Sequence, residues 1–256
     1  MENESRFITT PESQERFGRN VEIHVIFVRH GEKGGEGELT DEGKKQASGF
    51  GENLENKHAI KGYSSPIQRA MDTVEHIIEN SPHDKKLKTR IRTEIGIPPS
   101  SQEFYKKFRE LEEEGADTAA EWFLSFGQER PDSETFSPHE VAEAFAYMIA
   151  KYSKMADKLF SGSNIDLVNG THQGLPEALL KEVLKREVDG REVVGFEKAE
   201  DIGGALQFAE GMEFAIRTDE RGGKSLKVIF RGQEYGIDMV KLAELAKAYE
   251  ERQKQG

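Results

Sequence analysis

The hydrophobic pattern of this chain alternates between short apolar runs and amphipathic segments. The run VEIHVIFV at 21–28 combines β-branched and aromatic residues without a helical period, which predicts a buried strand. Further strands are predicted over 59–65, 86–99 and 165–168, and two prolines halt the one at 86–99. Helical patterns separate these strands, and such alternation is typical of an α/β protein.

Three of the predicted helices begin at recognisable capping residues. A serine or threonine at the N-cap accepts a hydrogen bond from the free backbone N–H groups of the first turn. The first helix is predicted over 39–56 with Thr40 as N-cap, and the second begins with Ser65 as N-cap and Pro66 at the first helical position. The third is predicted over 137–160 and begins with a capping box of Ser137 and Glu140.

The remaining segments define the domain organisation. Residues 1–20 are polar and predict an N-terminal arm, and residues 21–256 are interpreted as a single α/β domain. Within that domain, 100–136 predicts a helical insertion of two short helices. A C-terminal hairpin is predicted around Gly222-Gly223, followed by a closing helix from about residue 238.

Composition narrows the classes of function. The 256 residues carry a net charge of −12, which argues against general binding to nucleic acid or to an anionic membrane. The chain has no cysteine, so disulfides, thiolate metal sites and cysteine catalysis are excluded. The N-terminus lacks the apolar segment of a signal peptide and no run is long enough to cross a bilayer, so a cytoplasmic protein is expected.

Cations and imidazoles follow three of the predicted strands. Arg29 and His30 come directly after the first strand, Arg69 lies in the first turns of the helix after the second, and His172 follows the strand at 165–168. The carboxyl ends of strands in an open α/β sheet converge on the ligand crevice, and helix N-termini add positive potential there. Two guanidiniums and two imidazoles predict a phosphate pocket that needs no metal or other cofactor.

Four motifs in this order resemble the histidine phosphatase superfamily, also called phosphoglycerate mutase-like, in the branch with an Arg-His-Gly motif. They are VRHGE at 28–32, LTDEGKKQA at 39–47, SSPIQRAMDT at 64–73 and GTHQGLPEALL at 170–180. The resemblance covers roughly 21–185 and is poor over 100–136. It implies a three-layer fold, with a mostly parallel central sheet flanked by helices.

The resemblance also implies roles for the matching residues. His30 would be the nucleophile that forms a phosphohistidine, and Arg29 and Arg69 would bind the phosphate oxygens with guanidinium geometry. His172 would complete the pocket and stabilise the transition state, after which water would hydrolyse the intermediate. His30 must be neutral to attack phosphorus, and the charge of Arg29 disfavours its imidazolium form.

The proton donor for the leaving group is less sharply defined. The family supplies a carboxylate after the third strand, and Glu94 occupies that position, with Glu103 and then Glu110 as alternatives. Gln173 departs from the His-Gly-Gly that is frequent in the family; it could hydrogen-bond at the pocket or point away.

Several other residues have two interpretations. Lys33 could contact a leaving group or be a solvated loop lysine, and the acidic run 112–114 is most simply a solvated helix face. The aromatic residues of the insertion are expected to pack its helices rather than line a substrate entrance: Trp122, Phe123 and Phe126. His24 is expected to be structural, and four histidines that fit no motif are expected to be solvated: His58, His76, His83 and His139.

The sequence therefore predicts a metal-independent phosphomonoester hydrolase acting on a small phosphorylated metabolite or a phosphoprotein. A phosphomutase of the same superfamily is an alternative, but the longer sequence blocks of that branch are absent. A phosphate-binding protein with a degenerate site is a second alternative. Neither a nucleic-acid nor a membrane partner is expected, and substrate choice is expected to depend on 100–136 and on the loop at 32–38.

Overall fold

A computed structural model of the chain describes residues 16–255, so the predicted polar arm lies mostly outside the described residues. Seven helices are described: α1 (Asp41–Glu52), α2 (Gln68–Asn80), α3 (Gln102–Glu114), α4 (Ala116–Leu124), α5 (Pro138–Ala156), α6 (Leu175–Val183) and α7 (Met239–Gln255). Nine strands are described: β1 (Glu22–Arg29), β2 (Ala59–Ser64), β3 (Lys85–Ile91), β4 (Asn164–Thr171), β5 (Leu184–Val188), β6 (Arg191–Val194), β7 (Gly211–Thr218), β8 (Lys224–Phe230) and β9 (Gln233–Ile237).

These strands form one mixed sheet in the order β3-β2-β4-β1-β7-β8-β9-β5-β6. The core strands β3, β2, β4 and β1 are parallel, as predicted, while β7 and the strands beyond it add antiparallel pairs. The C-terminal hairpin is confirmed as β7 and β8, which turn at Gly222 and Gly223. In residues 16–255, no helix is both long enough and apolar enough to cross a membrane.

Strand β1 is buried on both faces, and this explains its uninterrupted apolar run. Ile23, Val25 and Phe27 belong to the large cluster formed with α5 and α6, whereas Ile26 and Val28 face the smaller cluster formed with α1 and α2. Helices on both faces are what a parallel sheet requires. The strand therefore delivers the residues that follow it to the sheet edge in a fixed position.

Several predicted boundaries are corrected. β3 ends at Ile91, and a 3₁₀ turn at Thr93–Ile95 replaces the rest of the strand predicted to 99. Helix α2 begins at Gln68 with Ile67 as its N-cap, so Ser65 is not the cap. The capping box at Ser137 and the cap at Thr40 are confirmed.

The hairpin β5–β6 was not predicted, although its signal is readable. Asp189 and Gly190 both have positive φ, as a tight hairpin turn requires, and the flanking residues pair across it. Helix α6 stops at Val183, and the next residue, Leu184, pairs with Ile237 of β9.

Gly31 allows α1 to approach the end of β1. A Cβ atom at Gly31 would lie 2.4 Å from the backbone oxygen of Gly43, and one at Gly43 would lie 2.3 Å from the oxygen of Glu32. Neither backbone group can rotate away. The two glycines therefore let the first turn of α1 pack directly on the loop that follows His30.

Candidate functional site

The register of the parallel core brings the two motif histidines to one edge of the sheet. Arg29 of β1 stands opposite Thr171 of β4, so His30 and His172 leave adjacent strands at the same level. Their ring centroids are 5.3 Å apart. Arg69, in the first turn of α2, lines the same cavity as both rings. The predicted convergence of strand ends is confirmed for these three residues.

His30 is only 2% exposed, and its ring orientation is set by its own loop. Its Nδ1 donates to the backbone oxygen of Gly31 at 2.8 Å, which leaves Nε2 unprotonated in the neutral ring. Burial, and then the charge of Arg69, hold the pKa of His30 well below its ordinary value of 6.5. The sequence assigned this effect to Arg29, whose contribution is smaller.

We expect His30 to remain neutral when the pH falls below 6.5. Protonation is easier in the unfolded chain, so the contribution of this histidine to stability is present above pH 6.5 and is lost as the pH falls toward its lower folded pKa. A ¹⁵N NMR titration of the His30 imidazole checks this result, with the urea-unfolded chain as reference. If His30 titrated at 6.5 or above in the folded protein, the site would not hold it neutral.

His172 is buried and is oriented by Ser65. Its Nε2 lies 2.9 Å from Ser65 Oγ, and the same oxygen accepts a hydrogen bond from the Ile67 N–H at 3.2 Å. The serine hydroxyl can therefore donate to Nε2, which places the ring proton on Nδ1. Nδ1 is buried and has no hydrogen-bond partner among residues 16–255. Burial, followed by the charges of His30 and Arg69, holds the pKa of His172 well below 6.5.

Arg29 is buried and held from three sides. Its Nη1 donates to the backbone oxygen of Leu206 at 2.9 Å, its Nη2 donates to Glu112 Oε1 at 2.9 Å, and its guanidinium lies 4.1 Å from the ring centroid of Phe208. Its Nε has no partner among the described residues. The structure thus places Arg29 beside His30 with one of its donors uncommitted.

Glu112 is a member of the site that sequence reasoning missed. One carboxylate oxygen accepts from Arg29 and the other lies 2.5 Å from Lys33 Nζ. Its side chain is 14% exposed and lines the cavity, so it is not part of a solvated face. The run of three glutamates predicted a solvated helix face. Glu112, however, lies one helical turn beyond Phe108, on the side of α3 that faces the cavity.

Lys33 also lines the cavity, and its ion pair with Glu112 favours the first of its two interpretations. Arg69 has a buried Nε without a partner, and burial lowers its pKa from the usual arginine value. Arg29, Arg69 and His172 together contribute three buried nitrogen donors that no described protein atom satisfies. Buried donors normally have acceptors, so this part of the structure is suited to an oxyanion.

The structure does not bring Glu94 to this cavity. Sequence reasoning placed it at a strand end, but the chain has already left the sheet at Ile91, and the Glu94 carboxylate lies 3.9 Å from Lys151 of α5. The two alternatives do not line the cavity either: Glu103 is exposed, and Glu110 is exposed and lies 3.7 Å from Lys107.

The loop before β7, which no motif marked, packs against Arg29 and His30. The N–H of Ala209 donates to the backbone oxygens of Arg29 and His30, and Phe208 lies 5.8 Å from the His30 ring. Glu177 fixes this loop, since its carboxylate accepts from the Leu206 N–H at 2.8 Å. Burial raises the pKa of Glu177.

The remaining cavity wall comes from the insertion. Trp122 and Phe126 pack on Phe104, as expected for residues that join helices, whereas Phe123 both packs there and lines the cavity. Gln173 lines the cavity too; its amide nitrogen donates to the backbone oxygen of Ala116, and its Oε1 has no partner among the described residues.

Two of the other histidines lie close to carboxylates of the sheet. His24 lies 2.7 Å from Glu213 on the neighbouring strand, as a structural histidine would. His83 corrects the sequence prediction, because it is buried and lies 3.1 Å from Asp166 at the opposite edge of the sheet. Among residues 16–255, no three or more histidine, aspartate or glutamate side chains are grouped to hold a metal.

Comparisons with known proteins agree with this geometry. The sequence model of the histidine phosphatase superfamily (branch 1) matches residues 25–200, more than half of the chain. No curated protein matches the sequence.

Solved structures match the fold at low identity. A phosphoglycerate mutase from Bacillus anthracis is 17% identical with a TM-score of 0.52, covering 89% of this chain and 98% of its own. Mycobacterial hydrolase 1 is 18% identical with a TM-score of 0.51, covering 81% and 97%. Mycobacterial hydrolase 2 is 16% identical with a TM-score of 0.52, covering 89% and 98%. The match to the superfamily model, together with the histidine pair at the sheet edge, shows that this chain belongs to the histidine phosphatase superfamily.

Proposed function

We propose that this protein is a metal-independent phosphomonoester hydrolase that acts through a phosphohistidine at His30. Members of the superfamily are phosphatases or mutases. The observation that carries the proposal is the set of three unsatisfied buried donors on Arg29, Arg69 and His172 around a neutral imidazole. These groups match the needs of a phosphoryl group, whose charge is spread over its oxygens during transfer.

The first chemical step uses the free nitrogen of His30. The lone pair of Nε2 attacks phosphorus while the P–O bond to the alcohol breaks. The Gly31 carbonyl accepts a hydrogen bond from Nδ1–H and thereby stabilises the positive charge that develops on the ring. Arg29 and Arg69 bind phosphate oxygens, and His172 donates from Nδ1 because Ser65 occupies Nε2.

Glu112 is the proposed proton donor in place of Glu94. The incoming phosphate would replace it as the partner of Arg29, and the negative charge of the phosphate beside the carboxyl group favours its neutral, protonated form. The protonated group then gives its proton to the leaving alkoxide. In the second step it takes a proton from water as water attacks phosphorus, the N–P bond breaks, and inorganic phosphate and neutral His30 result.

The cations already present supply the positive charge that a metal ion would otherwise provide. Arg69 and Lys33 line the cavity, and Arg29 lies close enough to His30 for its charge to act on that imidazole. Activity that persists in excess chelator is therefore expected.

Release of inorganic phosphate from a panel of phosphomonoesters tests the proposal, with vanadate as inhibitor. We expect turnover that vanadate suppresses and EDTA leaves unchanged. Conversion of 3-phosphoglycerate to its 2-isomer, with the bisphosphate primer, would identify a mutase instead. Binding of phosphate without release from any substrate, at protein in excess, would identify a phosphate-binding protein.

A further inference from the structure

The cavity beside His30 has a wall that the phosphoryl chemistry does not use. Five aromatic rings of the insertion line the cavity: Phe104, Tyr105, Phe108, Phe123 and Phe136. Ile97, Pro98 and Leu175 add aliphatic surface. We name the surface formed by Phe104, Phe108 and Phe123 the aromatic wall. It lines the same cavity as His30, so an organic group that extends from a phosphate bound there can pack on it.

The aromatic wall is rigidly supported from behind. Phe104 stacks on Trp122 with centroids 4.9 Å apart and an interplanar angle of 26°, and it meets Phe123 edge-on at 5.9 Å. Phe123 is buried in the main core. Rings held in this way present a fixed apolar surface without further ordering when a ligand binds.

The serine and threonine hydroxyl groups that line the cavity are already engaged by the protein. Ser100 donates to the backbone oxygen of Pro98 at 2.9 Å, and Thr135 donates to Asp132 at 2.9 Å while it accepts from the Ser101 N–H. A sugar or glycerate packed on Phe104, Phe108 and Phe123 would lose hydrogen bonds to water, because these rings offer no hydrogen-bonding groups in exchange. The free Oε1 of Gln173 can accept one hydrogen bond.

From these observations we infer that the organic group of the substrate is apolar and aromatic, and that it packs on the aromatic wall. This inference rests on the proposed function, since it names the leaving group of that reaction. The substrate class is then an aryl-alkyl phosphate with a primary alcohol as leaving group, rather than a polyhydroxylated phosphate.

Matched substrates test the inference without a difference in leaving-group chemistry. 2-Phenylethyl phosphate and glycerol 3-phosphate both release a primary alcohol. We expect kcat/KM to favour the phenylethyl ester by roughly 10- to 100-fold, because burial of a phenyl ring is favourable by that amount. Phe108→Ala should remove most of this preference and leave inhibition by inorganic phosphate unchanged. Phe160→Ala is the control, since Phe160 is exposed, stacks on Phe17 and does not line the cavity.

Calorimetry separates this inference from the proposed function. 2-Phenylethylphosphonate should bind more tightly than 2-hydroxyethylphosphonate, and Phe108→Ala should reduce the difference. Tighter binding of 2-phenylethylphosphonate without turnover of any ester would refute the proposed hydrolase activity and support the inference about the aromatic wall. Turnover without a preference for the phenyl group, or a preference that Phe108→Ala leaves intact, would overturn the inference.

Discussion

Replacement of His30 by alanine should abolish turnover of every phosphomonoester. The proposed reaction passes through a bond between His30 Nε2 and phosphorus, so no step remains once the imidazole is removed. We expect a fall on the order of 10⁴-fold or more in kcat, to the level of background hydrolysis. Rapid acid-free quenching with intact mass measurement should show one added phosphoryl group on the native protein during turnover, and none on the variant.

The fold must survive this substitution for the result to be informative. The His30 side chain makes one hydrogen bond, to the carbonyl of its neighbour Gly31, so its loss leaves a small buried gap. His30→Asn fills more of that gap and is the second variant, with urea unfolding as the check on both. His58→Ala is the control, because His58 is exposed and lies outside the cavity. A folded His30→Asn protein with native turnover would refute the phosphohistidine mechanism.

Glu112→Gln should slow the hydrolysis of alkyl phosphates far more than that of aryl phosphates. An alkoxide needs a proton as it leaves, whereas nitrophenolate is stable without one. Loss of a general acid typically costs 10²- to 10⁴-fold, and we expect a fall of roughly that size for 2-phenylethyl phosphate. For p-nitrophenyl phosphate the fall should be small. Steady-state kcat for the two substrates measures the difference.

A second readout separates proton donation from mere positioning of Arg29. Glutamine can still accept a hydrogen bond from Arg29, but it removes a negative charge close to the bound phosphate. Inorganic phosphate should therefore bind Glu112→Gln at least as tightly as the native protein. Weaker phosphate binding, together with an equal loss on both substrates, would instead assign Glu112 to positioning.

Two carboxylates that do not line the cavity serve as matched controls for this experiment. Glu113→Gln changes the next residue of the same helix, which is exposed and does not line the cavity. Glu94→Gln tests the donor that the sequence favoured, and we expect it to keep native rates on both substrates because its carboxylate lies near Lys151. Selective loss of alkyl phosphate turnover in Glu94→Gln would restore the first assignment.

One helix of the insertion contributes two kinds of residue to this site. Helix α3 supplies Glu112, which pairs with Arg29, and it supplies Phe104 and Phe108 to the aromatic wall. One helix therefore carries both the proposed proton donor and the surface for the leaving group. A change in the sequence of α3 is expected to alter chemistry and substrate choice together.

The sequence alone predicted the elements whose signals are local. The apolar run of β1, the cap at Thr40, the capping box at Ser137 and the glycine turn at 222–223 depend on neighbours in the chain. Parallel topology then required Arg29, His30, Arg69 and His172 to meet, because the carboxyl ends of parallel strands share one edge. For these residues, pattern and family resemblance were sufficient.

The tertiary structure alone decided which groups surround them. Glu112 lies 83 positions from Arg29 in the chain, and Leu206 lies 177 positions away, so no local pattern could connect them. The local sequence predicts Ser65 as a helix cap, whereas the structure places its hydroxyl 2.9 Å from His172. The sequence likewise favours Glu94 as the acid, whereas β3 ends at Ile91 and the chain leaves the sheet there. The sequence thus identified the motif histidines and arginines, whereas the packing of the insertion and of the loop before β7 against the sheet determined the partner of Arg29 and the residues that line the cavity. The physical reason is that side-chain partners are selected by proximity in the folded core, which hydrophobic periodicity does not encode.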